Sequence, residues 1–230
     1  MRTFYKATRP DGTDFYSGTV RYEVGKRVRP RDRVPRERAR LCGPGMLHSA
    51  TVPTETLVGG SSWPCRLFVV EGNPVAGLDE RHPHKAGFRE LRVVEELPAW
   101  QVFGPQGEDV VALIERAGRL TADEMQRFAQ VGTPIFGTAV YKAEEKARAA
   151  ARDAVDAARY AAWIAARHAA EAAAGETRLG GSTSSAARGA AWGAARDAAG
   201  DAAMVLVARD LISDEDFRTL YGPWESVIGE

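Results

Sequence analysis

The chain has 230 residues, 44% of them hydrophobic, and its 31 Lys and Arg balance its 31 Asp and Glu, so the formal net charge is zero. That length carries one large domain or two small ones, and the neutral total excludes a whole-chain field that would draw it to nucleic acid or to a membrane. Two cysteines, Cys42 and Cys65, fall short of a disulfide framework or a zinc ligand set and point to a reducing cytoplasm.

The first five residues, Met-Arg-Thr-Phe-Tyr, lack the apolar run of a signal peptide. No stretch of about 18 uncharged apolar residues occurs, so no transmembrane helix is expected. Thr3 to Thr8 alternates as a strand does. Phe15 to Val24 is rich in aromatic and β-branched residues and reads as a second strand or hairpin. Lys26 to Arg40 holds eight basic residues against Asp32 and Glu37, and Pro30 and Pro35 deny it a regular helix. It reads as an exposed loop. Arg27, Arg29, Arg31 and Arg33 are candidates for a phosphate or acidic-partner contact, although no aromatic residue interleaves them as a single-strand platform requires. Thr54 to Val58, just after Pro53, starts a short helix. Leu67 to Val70, bounded by Pro64 and Gly72-Asn73-Pro74, reads as a buried strand, and Leu91 to Leu97 as another. His82-Pro83-His84 has no further ligands nearby and reads as a surface turn; no metal site is expected.

After Pro105 the composition changes to helix formers. Asp109 to Ala117 is a short helix, and Thr121 with Glu124 forms a capping box for a helix to about Gln130 that Gly132, Pro134 and Gly137 then break. Thr138 to Ala174 is one long helical pattern, Gly175 to Thr183 a loop, and Ser184 to Ile212 a second helix. Ser213 caps a last short helix, with Pro223 near its end. The two long helices contain a repeat: Ala157 to His168 matches Ala186 to Asp197 in units of Ala-Ala-X-X. Small side chains at that period let two backbones approach toward the low end of the usual roughly 8–10 Å. Gly189, Gly193 and Gly200, with Gly181 ahead of them, suit such an approach at a cost in helix stability. Trp163 and Trp192 hold equivalent places in the repeat. They pack at the hairpin seam or onto the first domain, or else serve as exposed anchors for a partner. The expected architecture is therefore α+β: a mixed domain over 1–105, then a helical domain over 106–230 built on an alanine-rich antiparallel hairpin, about 138–174 and 184–212.

The first domain also carries a family likeness. Phe4-Tyr5-Lys6-Ala7-Thr8 resembles the first strand of the rifamycin ADP-ribosyltransferases, Phe-Tyr-His-Gly-Thr. Leu47-His48-Ser49-Ala50-Thr51 resembles their Tyr-Leu-Thr-Ala-Thr motif, and Cys65-Arg66-Leu67-Phe68-Val69-Val70-Glu71 their Gly-Arg-Ile-Tyr-Val-Val-Glu strand. The segment from Phe88 to Trp100 is similar to their closing motif and is the most specific of the four. The resemblance implies a split β-sheet cleft that binds NAD, with a His, a Tyr and an acid as triad. By position these fall on Lys6, Leu47 and Asp79, with His48 beside the Tyr position. It further implies catalytic roles for Lys6, His48 and Asp79, and cofactor contacts from Tyr5, Thr8, Ser49 and Thr51. Two of the three roles are chemically altered. A charged lysine accepts no hydrogen bond and leucine has no aromatic face, while strand alternation sends His48 to the face opposite Leu47.

The segment Leu41 to Ala50 resembles an uncharacterised domain of phage proteins. The alanine-rich tail, with Asp210-Leu211-Ile212 and Gly222-Pro223-Trp224, is similar to proteins of actinobacteria and their phages. The resemblances together imply a phage or prophage accessory protein in the bacterial cytoplasm. The expectation is a binding or assembly module on a degenerate transferase-like scaffold, with a host or phage protein as partner, self-association as a further possibility, nucleic acid contacted through the arginine-rich loop, and no membrane. The alternative is an enzyme that uses NAD to modify a host target.

Overall fold

The computed structural model describes residues 2–32, 34–35, 40–41, 43–57, 62–131, 138–177 and 185–229. The chain divides into two compact units, Met1–Gly104 and Pro105–Glu230. The whole is α+β, with the described strands in the first unit and the long helices in the second.

The first unit is built on seven strands among the described residues: β1 (Arg2–Thr8), β2 (Arg27–Val28), β3 (Leu47–Ala50), β4 (Arg66–Gly72), β5 (Ala76–Asp79), β6 (His82–Phe88) and β7 (Leu91–Leu97). They form one antiparallel sheet in the order β2-β7-β4-β1-β3-β6-β5. β1 pairs with β4 along its whole length, from Arg2 opposite Gly72 to Thr8 opposite Arg66. It meets β3 at a single register pair, Tyr5 opposite Ala50. Residues directly opposed share a face, so Phe4, Lys6 and Thr8 lie with Phe68 and Val70 on one side. Leu47, Ser49, Ala86 and Phe88 join them there. This is the main core face, where Phe4 meets Phe88 edge to face at 4.8 Å among buried Tyr22, Leu91 and Val93. The other face carries Tyr5, Ala7, Leu67, His48 and Lys85. Short 3-10 turns at Pro53–Glu55 and Ala99–Phe103 pack against β1 and β4, and Trp63 lies 4.9 Å from Phe103.

Several local expectations change. Phe15 to Val24 forms no strand beyond an isolated bridge of Thr13 with Arg21. The Asp14 carboxylate accepts from Ser17 N at 2.6 Å, Ser17 Oγ at 2.7 Å and Val20 N at 3.0 Å. These local bonds occupy backbone groups that a ladder would need. His82-Pro83-His84 opens β6 instead of forming a turn; the turn is one step earlier, at Glu80 and Arg81. Proline is tolerated there because it sits at a strand's start. Arg27 and Val28, expected in a loop, form the short edge strand β2 on β7. The helix expected from Thr54 is a single 3-10 turn at Pro53–Glu55.

The second unit contains α1 (Gly107–Ala117), α2 (Ala122–Val131), α3 (Thr138–Thr177), α4 (Ser185–Val207) and α5 (Asp214–Ile228). The capping box forms: Thr121 N donates to Glu124 Oε2 at 2.8 Å, and Glu124 N donates to Thr121 Oγ1 at 3.3 Å. Ser213 caps α5 by accepting from Asp216 N at 3.2 Å. The expected hairpin is part of a larger bundle, in which α4 packs against α1, α2, α3 and α5. From Ala198 to Ala208 every residue of the chain is buried. A helix buried all round must be apolar or small all round, which the sequence supplies at every position of this stretch but Asp201. α4 ends at Val207, short of Ile212, and turns lead into α5.

α3 is not one continuous helix. Ala151 has φ −156° and ψ 63°, which breaks the helical path. Arg159 nonetheless bonds both carboxylate oxygens of Glu144, each at 3.2 Å. Fifteen residues of straight helix would separate them by about 22 Å, so the two arms of α3 fold back at Ala151. Arg148 reinforces the corner through Glu144 at 3.0 Å and Asp156 at 3.2 Å.

The glycines of α4 prove unequal. A Cβ on Gly200 would lie 3.2 Å from Arg159 Cγ and 3.4 Å from Arg159 O, so here α3 and α4 do approach closely. A Cβ on Gly189 would meet nothing within 4 Å, and one on Gly193 only the tip of Arg196 at 3.9 Å. Gly181 lies outside the described residues. Gly189→Ala and Gly193→Ala are therefore expected to raise stability by about 0.5–1 kcal/mol each, from helix propensity alone. Gly200→Leu is expected to lower it by roughly 1–3 kcal/mol through overpacking. Urea unfolding midpoints of the three variants check the contrast.

Candidate functional site

The candidate site residues from sequence sit around β1 and β3. Lys6 projects from β1 onto the main core face, opposite Phe68. The loop after β1 builds its surroundings. Asp11 accepts from Thr13 N at 2.9 Å and Thr13 Oγ1 at 2.7 Å, and Tyr22 N donates to Gly12 O at 2.8 Å. Gly12, at φ +84°, makes that turn possible; a Cβ there would press on Tyr22 O at 3.2 Å. The loop thereby delivers the Tyr22 ring to the sheet, 5.5 Å from the Lys6 ammonium.

Charge in this corner is concentrated. Burial pushes the Lys6 amine down to about 8, with Asp14 opposing that shift and Lys85 adding to it. Burial raises the Asp14 carboxyl, but bonds from Ser17 and Val20 and the charge of Lys6 more than offset it, so Asp14 lies below the usual carboxylate range. The Tyr22 hydroxyl is raised by burial and then by Asp14. Ser49 lies on the same face as Lys6, and its buried hydroxyl has no hydrogen-bond partner among the described residues. Thr8, also on this face, is fully buried and donates to Arg9 O at 3.1 Å.

The remaining candidates lie elsewhere. His48 projects to the opposite face, as strand alternation required, with Tyr5 and Lys85. Burial first, then the charges of Lys85 and Lys6, push its imidazole down to about 4, so it is neutral at physiological pH. Thr51 stands beside His84, Oγ1 to Nδ1 at 2.8 Å. Asp79 is exposed at the far edge of the sheet, where it accepts from Arg81 N at 3.0 Å. β3 and β6 stand between its strand and β1, a span of roughly 14 Å at ordinary strand spacing. The structure thus groups Lys6, Thr8 and Ser49 on one face, sets Tyr5 and His48 on the other, and keeps Asp79 apart. Asp14 and Tyr22 were not singled out from sequence; the spacing Asp-x-x-Ser at Asp14 and Ser17, typical of side-chain-closed turns, is the signal that points to the first.

The arginine-rich segment is partly neutralised. Arg27 pairs with Glu90 at 2.6 Å and Arg29 pairs with the same carboxylate at 2.5 Å. The Arg27 bond is the larger cause that holds Glu90 below the usual carboxylate range. Arg31 is exposed, and Arg33 lies outside the described residues. In the helical unit Trp163 is half-buried at the seam, stacked on Tyr160 at 6.3 Å and covered by Arg196 of α4 at 4.8 Å. Trp192 is likewise half-buried, and its carbonyl accepts from Arg196 Nε at 3.2 Å.

Among the described residues no three His, Cys, Asp or Glu side chains gather as a metal site. No helix among them is long and apolar enough to cross a membrane. Cys65 is buried, and its thiol is pushed up to about 12 by that burial. No family model, curated protein or solved structure matches the chain.

Lys6 tests the electrostatics of the corner. Its folded-state value lies below that of the unfolded chain, so the cost of the buried charge is present in full below about pH 8 and disappears as pH rises toward 10.5. Lys6→Met is expected to stabilise the protein by roughly 1–3 kcal/mol at pH 7, with the difference from wild type shrinking above pH 8. Urea unfolding at pH 7 and pH 10 measures both.

Proposed function

We propose that this chain is a binding or assembly module rather than a catalyst, on a scaffold that resembles the ADP-ribosyltransferases, in a phage or prophage setting. The observation that carries the reading is the altered and incomplete triad: Lys6 and Leu47, at the His and Tyr positions, share the core face without an imidazole or a phenol, His48 lies on the opposite face, and Asp79 stands apart at the sheet edge. A transferase must bring its nicotinamide-holding groups and its acid to one reacting centre, and this arrangement argues against that. The helical unit supports the assembly part. Exposed Gly189 and Ala190 of α4 allow close helix approach to a partner, and exposed Tyr141 and Leu211 offer apolar contact.

The second reading is NAD binding at the parting of β1 and β3. It is favoured by their single register pair and by the buried, unpartnered Ser49 hydroxyl beside Lys6. Calorimetry with millimolar NAD separates the two. The module reading expects no binding heat, whereas binding that is lost in Lys6→Met would move the assignment to the enzyme. Light scattering over a concentration series addresses assembly. A mass rising above the 24.9 kDa of one chain is expected, and a strict monomer at high concentration would restrict the module to a different protein partner.

A further inference from the structure

The pairing of β1 with β3 stops at Tyr5 opposite Ala50. Continued inside β3, that register would set Lys6 opposite Ser49, Ala7 opposite His48 and Thr8 opposite Leu47, and none of these pairs forms. β1 keeps its full ladder with β4 on its other edge, and β3 keeps its ladder with β6. The two strands therefore part along the interval where Lys6 and Ser49 stand across from each other, with both side chains on the main core face.

The two side chains are complementary in what they leave unused. Ser49 is 5% exposed, and its hydroxyl has no hydrogen-bond partner among the described residues. A buried hydroxyl in that state has lost water without a replacement. Lys6 keeps part of its surface exposed, so the parting communicates with solvent at its side chain. The Lys6 ammonium contacts the Tyr22 ring at 5.5 Å and forms no salt bridge among the described residues. Asp14, the carboxylate that acts on it, already accepts from Ser17 Oγ and Val20 N with Oδ1 and from Ser17 N with Oδ2. Burial is the main cause that lowers the Lys6 amine; Asp14 opposes it, and Lys85 adds to it. At His48 burial again comes first, followed by the charges of Lys85 and Lys6. Two cations thus act on the parting against one carboxylate whose oxygens are engaged. The remaining residues of this face, Thr8 and Leu47, are buried and bring no spare donor, because the Thr8 hydroxyl donates to Arg9 O.

We propose that the parting of β1 and β3 is a binding site for a small oxyanion, a carboxylate or a phosphate, held between the Lys6 ammonium and the Ser49 hydroxyl. The ammonium supplies a charge-assisted hydrogen bond to one oxygen, and the hydroxyl donates to the same or a second oxygen. Both groups then gain the partner that the protein does not give them. The site goes beyond the assembly reading and does not depend on it. The NAD reading uses the same parting, and nicotinamide separates the two because it carries no oxyanion.

NMR shifts of the backbone amides in the full chain at pH 7 read the site during separate titrations with millimolar acetate and inorganic phosphate, each against matched sodium chloride. Saturable shifts at Lys6, Ala7 and Ser49 that chloride does not produce are expected with at least one anion, and the tighter of the two assigns the ligand class. Ser49→Ala removes a hydroxyl that makes no bond in the fold and is expected to weaken binding several-fold. Lys6→Met is expected to weaken it by about tenfold or more. Shifts that fail to saturate with either anion, or that chloride reproduces, overturn the proposal, and this arm needs no variant. Undiminished affinity in both variants overturns it too. Saturable shifts at the same amides with nicotinamide, and with neither anion, overturn it in favour of the NAD reading.

Discussion

Close backbone approach between α3 and α4, at Gly200 against Arg159, is the constraint from which the helical unit follows. Alanine and glycine permit that approach, but each buries little apolar surface, at about 0.8 kcal/mol per methylene-sized group. A helix of such residues gains enough only when it is covered on every side. α4 is so covered from Ala198 onward, by α1, α2, α5 and both α3 and its neighbours in the bundle. The larger side chains that complete the core, Met204, Leu220, Phe128 and Trp224, come from several helices; Phe128 of α2 stacks on Trp224 of α5 at 5.8 Å. A charge placed inside this packing has no solvent to retreat to, and burial is the main cause that raises the Asp201 carboxyl.

The sheet unit answers a different constraint. Its strands are amphipathic or buried on both faces, and the two faces of β1 have separate tasks. Phe4 and Thr8 close the main core, and Ala7 closes the other side with Leu67. Lys6 interrupts the core face with a charge. The loop from Arg9 to Gly25 receives it, because Asp14 fixes the loop with its own carboxylate and Tyr22 offers a ring to the ammonium. Lys6 is thus accommodated by residues of the loop that follows its strand.

Much of the fold was legible because its signals are local. The alternation in Thr3 to Thr8, the bounded apolar run at Leu67 to Val70, and the Thr121 and Glu124 pair each specify their element within a few residues, and each forms. His48 was correctly sent away from Leu47 because a period of two leaves no choice. Other features were hidden because they depend on distant neighbours. Phe15 to Val24 has strand composition, yet one carboxylate at Asp14 diverts it. Ala151 is the best helix former in its residue class and still breaks α3, since the ion pairs beyond it reward folding back. Gly189, Gly193 and Gly200 look alike in the repeat, and only the surroundings distinguish the one that is pressed by another backbone. The distance from Asp79 to Lys6 was not readable, because strand order in the sheet departs from order in the chain.

The corner at Ala151 bears on how this chain tolerates changes of length. Glu144 stands seven residues before it and Arg159 eight after, and their meeting depends on both arms keeping count. One residue inserted within either arm turns everything beyond it by about 100° and shifts it by about 1.5 Å, which takes one partner off the shared face. Lengthening at the outer ends of α3, before residue 144 or well after residue 159, leaves the pair untouched. Descendants of this sequence should therefore vary in helix length outside that interval and hold it constant within, a footprint of the fold-back that alanine content alone would never leave.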